Sequence, residues 1–502
     1  MNQVTQRTTP RRRALIIAGI ALALVAGAIV VLAMADDQPP SNSPAPARTS
    51  PSPSPPASVP SVDLTTRLQD DVTIEGVTGH LEAFQRIADE NGGNRYTATP
   101  GHERSASYVA RVLRNAGYRV SFDEFDVSIY EENAPSVLQR KAPSRASFEN
   151  SADFTTFNFS PSGSATGRLT PVGVNETTDG LGGCDETAFS DFTSGDIALV
   201  QAGPCELTAQ VLNAQNAGAS AALVMFTPVL SDTSAGVLRP TLASAEVEVP
   251  TLAVSTELGT ELARSGTRVH LEVDGNIAER TTRNVIAEQR GVTGDLLMVG
   301  AHLDSVADGP GINDNGSGSA SILELAVALA GVETREGVRF AFWSGEELGL
   351  IGSDHYVSEL SDAERNRITA YLNFDMVASP NYMRLVYGDN LGNVENPAAI
   401  KNLFLDYFAE RDLETDLINL SGRSDHGPFE RAGIPVGGLF TGAEMIKDRE
   451  AARLFGGDAG EPADPCYHLA CDDIGNINEE SLDQLSDAIA FSVATLATSD
   501  EL

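Results

Sequence analysis

Residues 296–318 read Leu-Leu-Met-Val-Gly-Ala-His302-Leu-Asp304-Ser-Val-Ala-Asp308-Gly-Pro-Gly-Ile-Asn-Asp314-Asn-Gly-Ser-Gly. The apolar run Leu296 to Ala301 predicts a buried strand of a parallel sheet, and the small-residue, apolar segment Ser317 to Val332 predicts a helix after it. Between them stand one imidazole, His302, and the carboxylates Asp304, Asp308 and Asp314. They lie at the strand's C-terminal end, where open α/β sheets bind ligands. Histidine nitrogen and carboxylate oxygen suit zinc, and the glycines let the backbone bend tightly around an ion. A lone His-x-Asp pair would carry little weight, because many buried histidines simply hydrogen-bond a carboxylate.

Three further strand-like runs end in comparable groups. Val338 to Trp343 leads into Ser344-Gly345-Glu346-Glu347, Ile368 to Phe374 into Asp375, and Val436 to Phe440 into Thr441-Gly442. The loop Asp464-Pro-Cys466-Tyr467-His468 offers a second imidazole. If these strands are neighbours in one sheet, His302, Asp314, Glu347, Asp375 and His468 converge, while Glu346 sits beside the ligand glutamate and points elsewhere. That inventory is the one a two-metal hydrolase needs: a bridging carboxylate, terminal ligands on each ion and a separate general base. The plain alternative is an ordinary α/β sheet with polar strand ends.

At these residues the chain resembles the secreted bacterial double-zinc aminopeptidases, the leucyl aminopeptidase and aminopeptidase Y family. The motifs GAHLDSV, GINDNGSGSA, GEELGLIGS, YLNFDM, GRSDHGPF, PVGGLFTGA and CYHLACD stand in that family's order. The likeness covers Asp71 to about Tyr130 and about Arg283 to Leu496. It implies an α/β fold, a mostly parallel mixed sheet sandwiched by helices. It also implies a site in which His302 and Asp375 hold one zinc, Glu347 and His468 hold the other, and Asp314 bridges them. Glu346 becomes the general base and Tyr467 an oxyanion donor. No member of this ligand set is replaced.

Two zinc ions lower the pKa of a bound water and polarise a peptide carbonyl. Glu346 then takes the water's proton and returns it to the leaving amine. Asp304 is expected to accept the other ring N–H of His302, a support common around metal-bound histidine. Tyr467 has a plainer reading as a packing aromatic beside a disulfide. Glu346 and Asp375 offer negative charge to a substrate ammonium. By resemblance Met376, Arg423 and Phe440 line the pocket, whose apolar members favour a large hydrophobic first residue such as leucine. Arg423, Asp425 and His426 also read as a structural polar cluster, the preferred reading for His426 because every ligand place is filled.

The 502 residues suffice for two or three domains, and 34 basic against 70 acidic residues give a net charge of −36. Such a charge argues against nucleic acid or anionic membrane surfaces as partners. Residues 1–13 are basic, and Ala14 to Ala35 carries no charge. A helix of that length spans a roughly 30 Å hydrocarbon core. Arginines before it and Asp36-Asp37 after it predict a single-pass anchor with the body outside. Ala33-Met-Ala35 also satisfies a cleavage rule, so secretion after signal removal competes. Residues 36–65 form a Pro/Ser-rich spacer. The chain's four cysteines fall into local pairs, Cys466 with Cys471 around His468 and Cys184 with Cys205, and oxidation is expected outside the membrane.

Residues 66–132 and 280–502 are expected to form the catalytic domain, interrupted at 133–279 by a segment of different texture. That segment carries strand-like runs at Asp196 to Val200 and Ala221 to Phe226 with a helical stretch, Leu207 to Ala217, between them. It resembles a protease-associated domain, read as a β-rich module that covers or restricts the cleft or as a passive insertion. Near the C-terminus, Glu480 to Ala497 reads as a helix that presents Asp483 and Asp487 on one face. By resemblance, Asp71 and the carbonyl of Val72 face them as calcium ligands. The alternative is solvated surface charge.

The expected partners are peptides with a free N-terminus, and a monomer is the favoured state. Rival readings are a glutaminyl cyclase-like enzyme, a related di-zinc carboxypeptidase or dipeptidase that uses Arg423 to hold a carboxylate, and a non-catalytic surface receptor.

Overall fold

The apolar runs quoted above form the centre of a mixed sheet in the computed structural model, which describes residues 63–174, 182–203, 205–226, 239–242, 246–390, 398–420 and 422–499. Its strands are β1 (Arg119–Ala142), β2 (Ala146–Ser147), β3 (Phe154–Thr156), β4 (Gly163–Val172), β5 (Ile197–Gln201), β6 (Ala221–Met225), β7 (Thr251–Val254), β8 (Arg268–Gln289), β9 (Leu296–His302), β10 (Gly337–Trp343), β11 (Ile368–Phe374), β12 (Leu385–Asn390), β13 (Asp416–Leu420) and β14 (Val436–Phe440). The half that holds these runs has the order β13-β12-β14-β11-β9-β10-β8, with β1 beyond β8. Strands β14, β11, β9 and β10 are mutually parallel, so their C-terminal ends lie along one edge.

These strands read as near-continuous apolar runs because both faces are covered. Helices α1 (Leu64–Asp71), α2 (Ile74–Glu90) and α3 (Pro100–Ala116) lie on one side. The later helices α6 (Gly318–Leu329), α8 (Ala398–Ala409) and α10 (Glu479–Thr498) complete that layer, packing on Val299, Phe340, Phe342, Leu372 and Phe374. On the other side α7 (Ile351–Ser358) and α9 (His426–Arg431) cover Met298, Trp343 and Tyr371 through Val357 and Phe429. Tyr371 stacks on Phe429 with ring centroids 3.9 Å apart. A β-carbon at Gly300 would lie 2.3 Å from Tyr371 Oη and 2.7 Å from Trp343 Nε1. Only glycine therefore admits the indole–phenol hydrogen bond, 2.8 Å, beside the strand end that bears His302.

The insertion is not tethered by loops. Strands β1 and β8 pair antiparallel from Arg119↔Glu288 to Ala142↔Arg268, with register shifts around Ala134. The same two strands therefore serve the central sheet at one end and the inserted domain at the other. There β4 pairs with β8, and β4, β5, β6 and β7 run parallel, closed by antiparallel β3. Helices α4 (Leu207–Asn216) and α5 (Thr256–Leu262) cover it. Cys184 and Cys205 are bonded within this domain, and Cys466 to Cys471 outside it.

Helix α1 begins at Leu64, just before the expected end of the spacer. The segment Ala14 to Ala35 lies outside the described residues, and among those described no helix is long and apolar enough to cross a membrane.

Candidate active site

Three strand ends, the turn before α6 and one disulfide-closed loop bring the expected side chains together. His302 ends β9, Glu346 and Glu347 follow β10, and Asp375 follows β11. Asp314 lies in the turn before α6, and its peptide with Asn315 is cis. His468 sits at φ +60° between Cys466 and Cys471, a backbone region that non-glycine residues rarely occupy.

The two carboxylate oxygens of Asp314 face different rings. Oδ1 is 3.2 Å from His302 Nε2, and Oδ2 is 3.2 Å from His468 Nε2. Asp375 Oδ1 lies 3.4 Å from His302 Nε2, and Glu347 Oε2 lies 3.1 Å from His468 Nε2. Glu346 Oε2 stands back, at 4.0 Å from His302 Nε2. His302 Nε2, Glu347 Oε1 and Asp375 Oδ1 are buried without a hydrogen-bond partner. Buried polar atoms are normally paired, so these donors fit a divalent cation that binds nitrogen and oxygen, as zinc does. Among the described residues, the sets of three with ligand atoms close enough to share an ion are His302–Asp314–Glu347 and His302–Glu346–Asp375.

Electrostatics agree with that need. Burial, and then the neighbouring Asp425, Asp375 and Glu347 against the opposing His302, pushes the Glu346 carboxyl well above the usual carboxylate range. Burial also raises Glu347, although His468 opposes it. Both groups are short of positive charge.

One expectation is corrected here. His302 Nδ1 faces the backbone carbonyl of Asp304 at 3.1 Å, whereas the Asp304 carboxylate is 3.8 Å away. That carboxylate instead accepts from Thr97 Oγ1 (2.7 Å) and from the backbone N–H groups of Glu346 and Glu347 (3.4 Å each). Asp304 thus fixes the glutamate turn directly and His302 only through its main chain.

Three supporting residues were not identified from the sequence. Ser424 Oγ donates to Asp375 Oδ2 at 2.6 Å. Asp472, next to the disulfide, accepts from the N–H groups of Asn313 (2.8 Å) and Asp314 (3.0 Å). Fully buried Arg95 donates to the carbonyls of Leu303, Pro310 and Gly311, so it staples the loop between His302 and Asp314. Burial pulls its guanidinium down to about 10, against the opposing Asp304, Asp472 and Asp314, and it stays charged at neutral pH. Arg95→Met is expected to leave those carbonyls unpaired and cost about 3–5 kcal/mol. Thermal unfolding at fixed zinc would show this as a lowered midpoint.

Tyr467 stacks on His468, with centroids 3.8 Å apart, and lines the same cavity of about 750 Å³ as the convergent donors, Met376, Arg423 and Phe440. Burial, and then Asp314 and Glu444, pushes its phenol well above its ordinary value, so the hydroxyl keeps its proton. Arg423 Nη1 is bonded to Glu444 Oε1 at 3.0 Å. His426 Nε2 accepts from the N–H of Gly422 at 3.2 Å, and burial lowers this ring to about 4. Asp425 is fully buried and raised to about 7 by that burial.

At the C-terminal helix Asp483 and Asp487 share α10. Asp71 is turned to Arg67 (3.3 Å), and among the charges acting on Asp487 is Asp70.

Residues 284–493 match peptidase family M28, and residues 165–262 match the PA domain. The chain is 40% identical over 438 residues to an aminopeptidase of Pseudomonas aeruginosa, covering 85% of this chain and 81% of that protein. It is 38% identical to a protein of Aspergillus fumigatus named "Probable leucine aminopeptidase 2", over 84% of this chain and 82% of that one. Among solved structures, a zinc aminopeptidase of Bacillus subtilis superposes with a TM-score of 0.66 at 24% identity, covering 84% of this chain and 95% of the other.

Proposed function

The chain belongs to peptidase family M28 with an inserted PA domain, and on that premise we propose that it is an extracytoplasmic aminopeptidase that removes large hydrophobic N-terminal residues at a di-zinc site. The observation that carries this reading is the Asp314 carboxylate, each of whose oxygens lies 3.2 Å from a different imidazole. His302 and Asp375 would hold one ion, Glu347 and His468 the other, and Asp314 both. Zinc is the metal named for the Bacillus subtilis structure, and leucine the residue named for the Aspergillus fumigatus relative.

Bound zinc would supply Lewis acidity, which activates water and polarises the scissile carbonyl. The chain's own residues do the rest. Glu346, raised in proton affinity and set back from the donors, takes the water's proton and returns it to the leaving amine. Tyr467, which keeps its hydroxyl proton, donates to the developing oxyanion. Ser424 and Asp472 hold Asp375 and Asp314 in place. Met376 and Phe440 shape an apolar seat for the first side chain.

The Arg423–Glu444 pair weighs against a carboxypeptidase, because the guanidinium is already engaged. Both disulfides support an oxidising compartment, reached through an anchor or signal at Ala14 to Ala35. The test is cleavage of leucine p-nitroanilide beside its N-acetylated form and an N-terminal glutamine peptide. Hydrolysis of the free-amine substrate alone, abolished by chelator, is expected. Equal hydrolysis of the blocked substrate, or cyclisation of the glutamine, would contradict the reading.

A calcium site formed by Asp71, the carbonyl of Val72, Asp483 and Asp487 is part of the same proposal. Burial, then Asp483, pushes the Asp487 carboxyl up to about 6, from about 4 in the unfolded chain. Between those values the folded state binds the extra proton, so stability falls as pH rises through the window. A cation there offsets the loss. Millimolar calcium should therefore raise the unfolding midpoint more at pH 7.5 than at pH 4.5. An equal shift at both, or one that survives Asp483→Asn with Asp487→Asn, would make these ordinary surface acids.

A further inference from the structure

The cavity that holds the convergent donors extends to the inserted domain, where Glu206 and Thr241 line it. Glu206 is exposed, directly before α4. Its mount is rigid. Cys205, its neighbour, is bonded to Cys184. Asn213 Nδ2 donates to the carbonyls of Gly183 (3.0 Å) and Cys184 (3.1 Å), and Gln210 Nε2 donates to that of Gln201 (2.8 Å). The inserted domain is in turn clamped to the catalytic one. Arg239, with a side chain only 15% exposed, bonds Asp308 in the loop after His302 and Glu132 on β1, each at 3.0 Å.

The charge along this path is uneven. At the rim Arg423 and Glu444 neutralise each other. The buried acids at the floor are committed to metal binding and proton transfer in the reading above. The Glu206 carboxylate makes no hydrogen bond or ion pair with another side chain among the described residues, so its negative charge is not compensated. In the aminopeptidase reading the substrate amine sits at the donors, so the peptide beyond the scissile bond extends away from them through this cavity, one wall of which bears the exposed Glu206 carboxylate.

We infer that Glu206 is a specificity-determining residue that favours peptides with a cationic side chain beyond the scissile bond. This rests on the aminopeptidase reading and assigns the inserted domain a part in substrate choice. An exposed ion pair of this kind supports about a threefold to fivefold preference, screened by salt.

The experiment compares kcat/KM at low ionic strength for Leu-Lys-Ala-Ala against Leu-Glu-Ala-Ala, and for Leu-Ala-Lys-Ala against Leu-Ala-Glu-Ala. It uses the full chain, Glu206→Gln and Glu206→Lys. Each lysine-to-glutamate ratio is internal to one protein, so a general change in activity cancels. The ratio for at least one pair should be about threefold to fivefold in the parent, near one in Glu206→Gln and below one in Glu206→Lys. A parent ratio of one, or a ratio unchanged in both variants, would overturn the inference. Failure of the parent to cleave any of the four peptides would instead overturn the aminopeptidase reading itself.

Discussion

Glu346→Gln should lower kcat by about 10²–10⁴-fold, the scale lost when positioned proton transfer is removed, while zinc content and fold are kept. The expectation follows from where the adjacent glutamates point. Glu347 Oε2 is 3.1 Å from His468 Nε2, whereas Glu346 Oε2 is 4.0 Å from His302 Nε2. The amide keeps the shape of the side chain and removes only its capacity to accept a proton. Zinc analysis beside steady-state kinetics decides it. A variant that loses zinc would mean that Glu346 is the ligand and Glu347 the base.

Asp314→Ala should have a comparable effect through a different route. Asp472 holds the main-chain N–H groups of Asn313 and Asp314, and Arg95 holds the carbonyls just before them. The loop therefore keeps its course when the side chain is cut back. What is lost is the single group that faces both imidazoles. Bound zinc should fall below two per chain and activity by roughly 10³-fold, the scale of losing several kcal/mol of transition-state charge stabilisation. Full zinc occupancy in this variant would remove the bridging role.

The reasons for what was legible in the sequence are physical. Strands β9, β10, β11 and β14 are covered on both faces, so each is a near-continuous apolar run that ends abruptly in a polar group. Once the parallel order is inferred, those ends must lie along one edge, and His302, Glu347 and Asp375 meet there. Support from far along the chain left no such mark. Arg95 acts on backbone carbonyls and Asp472 on backbone N–H groups, which carry no residue signature, and Asp472 lies 158 residues from Asp314 in sequence. For Asp304 the residue was identified but not the atom: its carbonyl serves His302, and its carboxylate serves the Glu346–Glu347 turn. The shared strands β1 and β8 were hidden because Asn133-Ala-Pro-Ser136 interrupts β1, where the register shifts, and the outer half of β8 alternates polar and apolar residues like any edge strand.

The central claim is a site that needs two ions. Apoenzyme prepared with chelator and titrated with zinc, with bound metal and leucine p-nitroanilide hydrolysis read on the same samples, tests it most directly. The account predicts that binding saturates at two zinc per chain and that full activity is reached only there. Saturation of both binding and activity at one zinc per chain would contradict it.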